Sequence, residues 1–321
     1  MIDLYERKID YLRISITDRC NLRCQYCMPN GITPIDMAEI LTYEEILRFC
    51  QVGVQLGITK LRVTGGEPLV RKGCATLVRQ LKAIKGMETV SLTSNGILLE
   101  QYGESLKAAG INGVNISLDT TNADLYRQIT GKNEFGQVVR GIEKMIALAI
   151  PVKLNAVLFS GINDKEWESL IHLAKVYPVD VRFIELMPIG MGKDYQGVSN
   201  VVLQNQILQK YPQMQEDLTP RGNGPAVYSQ IAGFKGRIGF ISAIHSKFCN
   251  SCNRLRLTAE GKLKPCLCYG DTIDIRKILR NGTDEELKAG IKAAILKKPL
   301  GHCFENSEKI TELRQMSKIG G

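Results

Sequence analysis

Nowhere in these 321 residues does an apolar run approach the roughly 18 that a membrane span needs, and the opening MIDLYERKID mixes charge with apolar residues, unlike a secretory signal. The sequence therefore predicts a cytoplasmic chain with no membrane partner. Histidine is scarce: His172, His245 and His302 are the whole supply, and none lies near the first cysteine group. A histidine-built metal centre there is disfavoured. A formal charge of +9 comes with no basic tail or lysine-arginine block, so a bound nucleotide suits it as well as nucleic acid. Ten cysteines are present. In a reducing compartment, and in a chain far larger than the small domains that need staples, they do not form a disulfide framework. Clustered cysteines then suggest metal.

Short β-rich runs at residues 11–17, 60–64, 89–93, 113–118, 152–159 and 179–186 alternate with helical stretches. The first helix is the clearest. Thr42 with Glu45 forms a capping box, and Ile46, Phe49, Cys50, Gly53 and Val54 share one face. Cys50 accordingly reads as core packing. The repeated β-α pattern implies a parallel α/β sheet, either open and doubly wound or a curved, incomplete barrel. After Met187 the rhythm stops at PIGMGKDYQG, which places a boundary near residue 195, with residues 1–195 and 196–321 as two portions.

The ends of these runs are polar and glycine-rich: GGEP (65–68), TSNG (93–96), SLDT (117–120) and ELMP (185–188). In either architecture they share the face where α/β proteins bind ligands. After the first run comes DRCNLRCQYCMPNG, with Cys20, Cys24 and Cys27 but no fourth cysteine. Zinc with a distant fourth ligand is one reading, and an iron–sulfur cluster with one iron open to a ligand is another. Farther on, FCNSCNRLRLTAEGKLKPCL holds Cys249, Cys252 and Cys266 around Arg254, Leu255 and Arg256. Adding Cys268 gives four thiolates and a closed zinc ribbon, which stands level with a second cluster on this stretch alone.

C-x₃-C-x₂-C with Tyr26 before the last cysteine, followed by GGEP after the second run, resembles the radical S-adenosylmethionine superfamily. The second cysteine set, its Arg-Leu-Arg and the terminal MSKIGG resemble the GTP 3′,8-cyclases of molybdenum-cofactor biosynthesis, over nearly the full chain. Cys268 departs from that family's pattern, where a non-cysteine is usual. The resemblance implies a partial (β/α)₆ TIM-type barrel with a C-terminal extension carrying a second cluster. It also implies two [4Fe–4S] clusters, one on Cys20, Cys24 and Cys27 and one on Cys249, Cys252 and Cys266. S-adenosylmethionine would be held by Tyr26, Gly66, Ser117 and Met187. GTP would be held by Arg13, Arg62, Thr93, Lys153, Arg254, Leu255 and Arg256, with Asn155 and Arg182 as weaker candidates.

Taken alone, Arg13, Arg62 and Lys153 could each be a solvated face, and Asp119 a helix cap. No acid–base pair is implied. The implied reaction is radical: the 3′ hydrogen of GTP is removed and carbon 8 of guanine is attacked, giving (8S)-3′,8-cyclo-7,8-dihydroguanosine 5′-triphosphate. The implied partners are an external electron donor and cyclic pyranopterin monophosphate synthase, which takes the product, with no stable nucleic acid and a monomeric or homodimeric state. A glycine pair at 320–321 is implied to reach the site. A peptide-modifying radical enzyme and a zinc-binding nucleic-acid module are the competing readings.

Overall fold

The structure is a computed structural model and describes residues 1–32 and 34–320. Strands β1 (Tyr11–Ser15), β2 (Lys60–Thr64), β3 (Thr89–Ser94), β4 (Val114–Ser117), β5 (Val152–Ala156) and β6 (Asp180–Ile184) pair in parallel in that order. The crossovers contain α1 (Tyr43–Gln55), α2 (Cys74–Lys82), α3 (Leu99–Ala108), α4 (Ala123–Thr130), α5 (Phe135–Ala147) and α6 (Trp167–Val176). At the start of α1, the Thr42 hydroxyl accepts from the Glu45 N–H and the Glu45 carboxylate accepts from the Thr42 N–H. This reciprocal cap contributes about 1 kcal/mol. Ile46, Phe49 and Cys50 are buried beneath the sheet as their spacing predicts.

The β-rich runs overshoot at their C-terminal ends: residues 16–17, 157–159 and 185–186 lie in loops. Side chains there hold the loops that follow the strands. Glu185, one residue past β6, accepts from the N–H groups of Asn200, Ile244 and His245.

Beyond residue 195 come α7 (Asn200–Lys210), β7 (Gln215–Asp217), β8 (Val227–Gln230), β9 (Ile238–Ile241), β10 (Arg254–Leu257), β11 (Lys262–Lys264), β12 (Ile273–Asp274), α8 (Ile275–Asn281) and α9 (Asp284–Leu296). These strands join the same sheet. β9 lies parallel to β6 and β10 parallel to β1, giving one open sheet of twelve strands in the order β12-β11-β10-β1-β2-β3-β4-β5-β6-β9-β8-β7. The parallel run is thus longer than the six strands expected, because IGFI and RLRL are too short to stand out by periodicity. One continuous core includes Ile14 of β1, Phe183 of β6, Phe240 of β9 and Leu255 of β10. The opposite faces of β1, β3, β4, β5 and β10 contribute to a single cavity, so the sheet curves around it.

Candidate active site

That cavity, about 350 Å³, lies at the C-terminal ends of the parallel strands. Both three-cysteine sets border it, as do GGEP, TSNG, SLDT and ELMP. The first set occupies the loop after β1. The Cys24 carbonyl accepts from the N–H groups of Cys27 and Met28, at 3.0 and 2.9 Å, which winds Cys24 to Cys27 into one turn. The end of α4 secures the loop, its Thr130 and Ile129 carbonyls accepting from Arg23 N–H and Gln25 N–H. Tyr26 donates its hydroxyl to Asp119 at 2.7 Å and packs its ring on Phe159. Asp119 also accepts from Val157 N–H, so it braces Tyr26 and caps no helix; Asn122 is the cap of α4. Burial raises the Asp119 carboxyl to about 6.

GGEP lies against the start of the same loop. A side-chain carbon on Gly66 would come within 2.4 Å of the Arg19 carbonyl, and one on Gly65 within 2.7 Å of that of Thr17. Only glycine permits this approach. The N–H groups of Gly66 and Glu67 donate to those two carbonyls. Glu67 is fully buried and accepts from Leu69 N–H, Asn95 N–H and the Ser94 hydroxyl, while burial lifts its carboxyl to about 7.

The second set begins where a short 3₁₀ turn, Cys249–Ser251, leads to Cys252 and β10. Burial raises the Cys252 thiol, but Arg254 and Lys298 outweigh it and bring the group down to about 7. Cys268 does not border the cavity. Its sulfur lies 3.4 Å from that of Cys303 in a separate apolar cluster with Ile189, Phe304 and Ile319. The closed four-cysteine zinc ribbon is therefore not what this fold builds. Among the described residues, no three of Cys, His, Asp and Glu converge on a point as ligands of one ion would. Three thiolates that each take a different iron of a cluster stand farther apart, and the donor chemistry of both sets suits such a group.

Register adds what spacing could not. Arg256 on β10, Arg13 on β1 and Arg62 on β2 are direct neighbours across the sheet. Like charges so placed repel. None of the three has a carboxylate within 4 Å among the described residues. Burial, then Arg256 and Arg62, pull the Arg13 guanidinium well below its usual range, and burial with Arg254 brings Arg256 to about 10. Arg13 Nε and the Thr93 hydroxyl are buried with no hydrogen-bond partner among the described residues. An anionic, acceptor-rich ligand would relieve both conditions.

The predicted residues divide between two places. Arg13, Tyr26, Gly66, Thr93, Ser117, Asn155, Met187, Arg254 and Arg256 border the main cavity. Arg62, Lys153 and Arg182 instead line a second cavity of about 130 Å³ near the N-terminal ends of β3, β4 and β5. There Lys153 donates to the Arg221 carbonyl and lies over the Tyr228 ring, and its ammonium is lowered by burial to about 8. Arg182 donates to Asn155 and Asn115. Leu255 lies between two cavity-facing arginines, and strand alternation turns its side chain into the core, where it is fully buried, so only its backbone is left to meet a ligand.

The C-terminal segment closes the cavity, with Met316 and Ser317 on its wall. Ile319 is buried, and the Gly320 carbonyl accepts from Arg256 at 2.7 Å. Gly320 has φ +78°, and a side-chain carbon there would meet Thr64 at 3.3 Å. Gly321, the other member of the predicted pair, lies outside the described residues. Sequence reasoning missed Lys298 and His302, which border the cavity beside the second cysteine set. No local pattern marks them.

Two family models match the chain: the Radical SAM superfamily over residues 14–174, and Molybdenum Cofactor Synthesis C over residues 179–304. Curated relatives named GTP 3′,8-cyclase cover it fully and are fully covered by it. Those of Alkaliphilus oremlandii, Clostridium perfringens and Petrotoga mobilis are 46%, 45% and 43% identical. Among solved structures, Streptococcus suis SuiB bound to precursor peptide SuiA is similar with a TM-score of 0.64 at 13% identity, covering 97% of this chain and 75% of that one. At that identity the likeness concerns the fold alone.

Proposed function

The chain belongs to the GTP 3′,8-cyclase family, and on that premise we propose how its own residues serve the reaction. It is a radical S-adenosylmethionine enzyme of molybdenum-cofactor biosynthesis with [4Fe–4S] clusters and S-adenosylmethionine as cofactors, and GTP is its substrate. Cys20, Cys24 and Cys27 would hold one cluster, and Cys249, Cys252 and Cys266 the other. When bound, the first cluster and S-adenosylmethionine supply one-electron chemistry able to take a hydrogen atom from an unactivated carbon. The protein contributes placement. Tyr26, fixed by Asp119 and Phe159, would form a wall for the adenosine, and Gly66, packed against the Arg19 carbonyl where no side chain fits, would present its backbone to the methionine end. Ser117 and Met187 would complete that subsite.

Arg13, Thr93, Arg254 and Arg256 would hold the nucleoside end of GTP. Arg62 and Lys153, with Arg182, would receive its phosphates in the second cavity. The observation that carries this reading is the rung of Arg256, Arg13 and Arg62, which has no carboxylate partner among the described residues, beside a cavity bordered by both cysteine sets. Residues 1–195 would serve the first cluster and residues 196–321 the second, although their strands share one sheet. Unpaired cysteines fit the reducing cytoplasm, and no helix among the described residues is long and apolar enough to cross a membrane. The cyclised nucleotide would pass to cyclic pyranopterin monophosphate synthase.

Two variants test the division of labour. Cys24→Ala should lose about half of the iron and all cleavage of S-adenosylmethionine. Cys249→Ala should lose a similar share of iron, keep cleavage and fail to make the cyclised product. Retained cleavage in Cys24→Ala would overturn the assignment.

A further inference from the structure

The ammonium of Lys298 is deep in the protein, with the residue 4% exposed, and it touches both arms of the second cysteine set. Nζ donates to the Arg254 carbonyl and to the Pro265 carbonyl, each at 2.8 Å. Arg254 is two residues after Cys252, and Pro265 immediately precedes Cys266. The lysine follows α9, yet these bonds go to the cysteine-bearing segments and not to the helix's own last carbonyls, so it is no ordinary helix-end cation. Among the described residues no carboxylate lies within 4 Å of it. Two carbonyls do not neutralise a buried ammonium, and burying one without an anion is costly. The nearby anions would be the thiolates of Cys249, Cys252 and Cys266 and the cluster that they carry; all four residues border the same cavity.

We propose that Lys298 is a positioning residue of the second cluster: it ties together the arms carrying Cys252 and Cys266, and it sets a fixed positive charge beside the group they bind. The inference rests on the reading of that cysteine set as a cluster site. Cluster potentials respond to nearby charge and hydrogen bonding. One-electron reduction makes the cluster more negative, so a buried cation stabilises the reduced form over the oxidised one.

The test uses the reconstituted wild type, Lys298→Arg and Lys298→Gln. Iron content and a dithionite titration followed by electron paramagnetic resonance are read for each cluster. Lys298→Gln should bind the second cluster less completely and shift its midpoint to more negative potential, while Lys298→Arg stays near wild type. The first cluster should be unchanged in all three, which reports that the chain is folded. If Lys298→Gln lacks the second cluster and Lys298→Arg keeps it, the proposal also stands. It is overturned if Lys298→Gln titrates like wild type, or if both variants lose or shift the second cluster equally, because packing alone would then explain the residue. A wild type carrying four irons instead of roughly eight would fail the underlying reading of the cysteine set, a separate result.

Discussion

Glu67 is a carboxylate placed where water does not reach, with three donors pointed at its two oxygens. Its folded carboxyl titrates at about 7 against 4.5 for an ordinary glutamate. The folded state therefore holds the proton more tightly than the unfolded one. Between pH 4.5 and about 7 the Glu67 contribution should lower stability as pH rises, by on the order of 3 kcal/mol in total, and level off above. Chemical denaturation of the cluster-free protein across that range should show this slope, and Glu67→Gln should show a shallower one, to which Asp119 still contributes. An identical slope in both proteins would remove Glu67 as its source. From sequence, Glu67 was only the third letter of GGEP, because its three donors come from Leu69, Ser94 and Asn95 and nothing in the motif predicts that the last two fold onto it. Leu255 shows the opposite limit: belonging to Arg-Leu-Arg made it a candidate, yet strand alternation sends its side chain into the core.

At the scale of elements, β10, β1 and β2 place three arginines side by side. Without ligand that rung is strained electrostatically, so Arg13→Leu should leave the cluster-free protein at least as stable as wild type while GTP binding is lost. Arg256→Ala should weaken GTP binding by about 1.5–3 kcal/mol, the range for hydrogen bonds to charged groups, with iron content unchanged. Equilibrium binding measured beside thermal denaturation checks both, and a clear loss of stability without loss of affinity would mean that the arginines are structural. Gly66→Ala acts on the neighbouring contact: its new carbon meets the Arg19 carbonyl, so the first cysteine loop should shift and its iron fall, with the second cluster spared. The six parallel strands were legible because each carries its own pattern. The arginine rung was not, since it is made by parallel pairing between segments some 240 residues apart, such as Arg13 with Arg256.

For the whole molecule, both ends of the chain converge on the second cysteine set and the cavity. Arg7, paired with Asp3, donates to the carbonyls of Cys249, Pro299 and Leu300, and the C-terminal segment carries Gly320 to Arg256. Deleting Gly320 and Gly321 should leave folding and both clusters intact and severely reduce cyclised product. Equal yields from full-length and truncated protein would make the tail a passive end. Cys268→Ser should keep both clusters, because its thiol faces Cys303 and not the cavity. The glycine pair was visible in the sequence as a motif with a reason to thread a narrow space, whereas the convergence of the N-terminal hook on Cys249 has no sequence signal.

On the proposed reading, both cysteine sets and the arginine rung serve one reaction on GTP. Anaerobic incubation with reductant, S-adenosylmethionine and GTP deuterated at the ribose 3′ carbon tests it most directly. The expected products are a cyclised nucleotide and 5′-deoxyadenosine that has gained the deuterium. Cleavage of S-adenosylmethionine with no deuterium in 5′-deoxyadenosine and no change in GTP would contradict it.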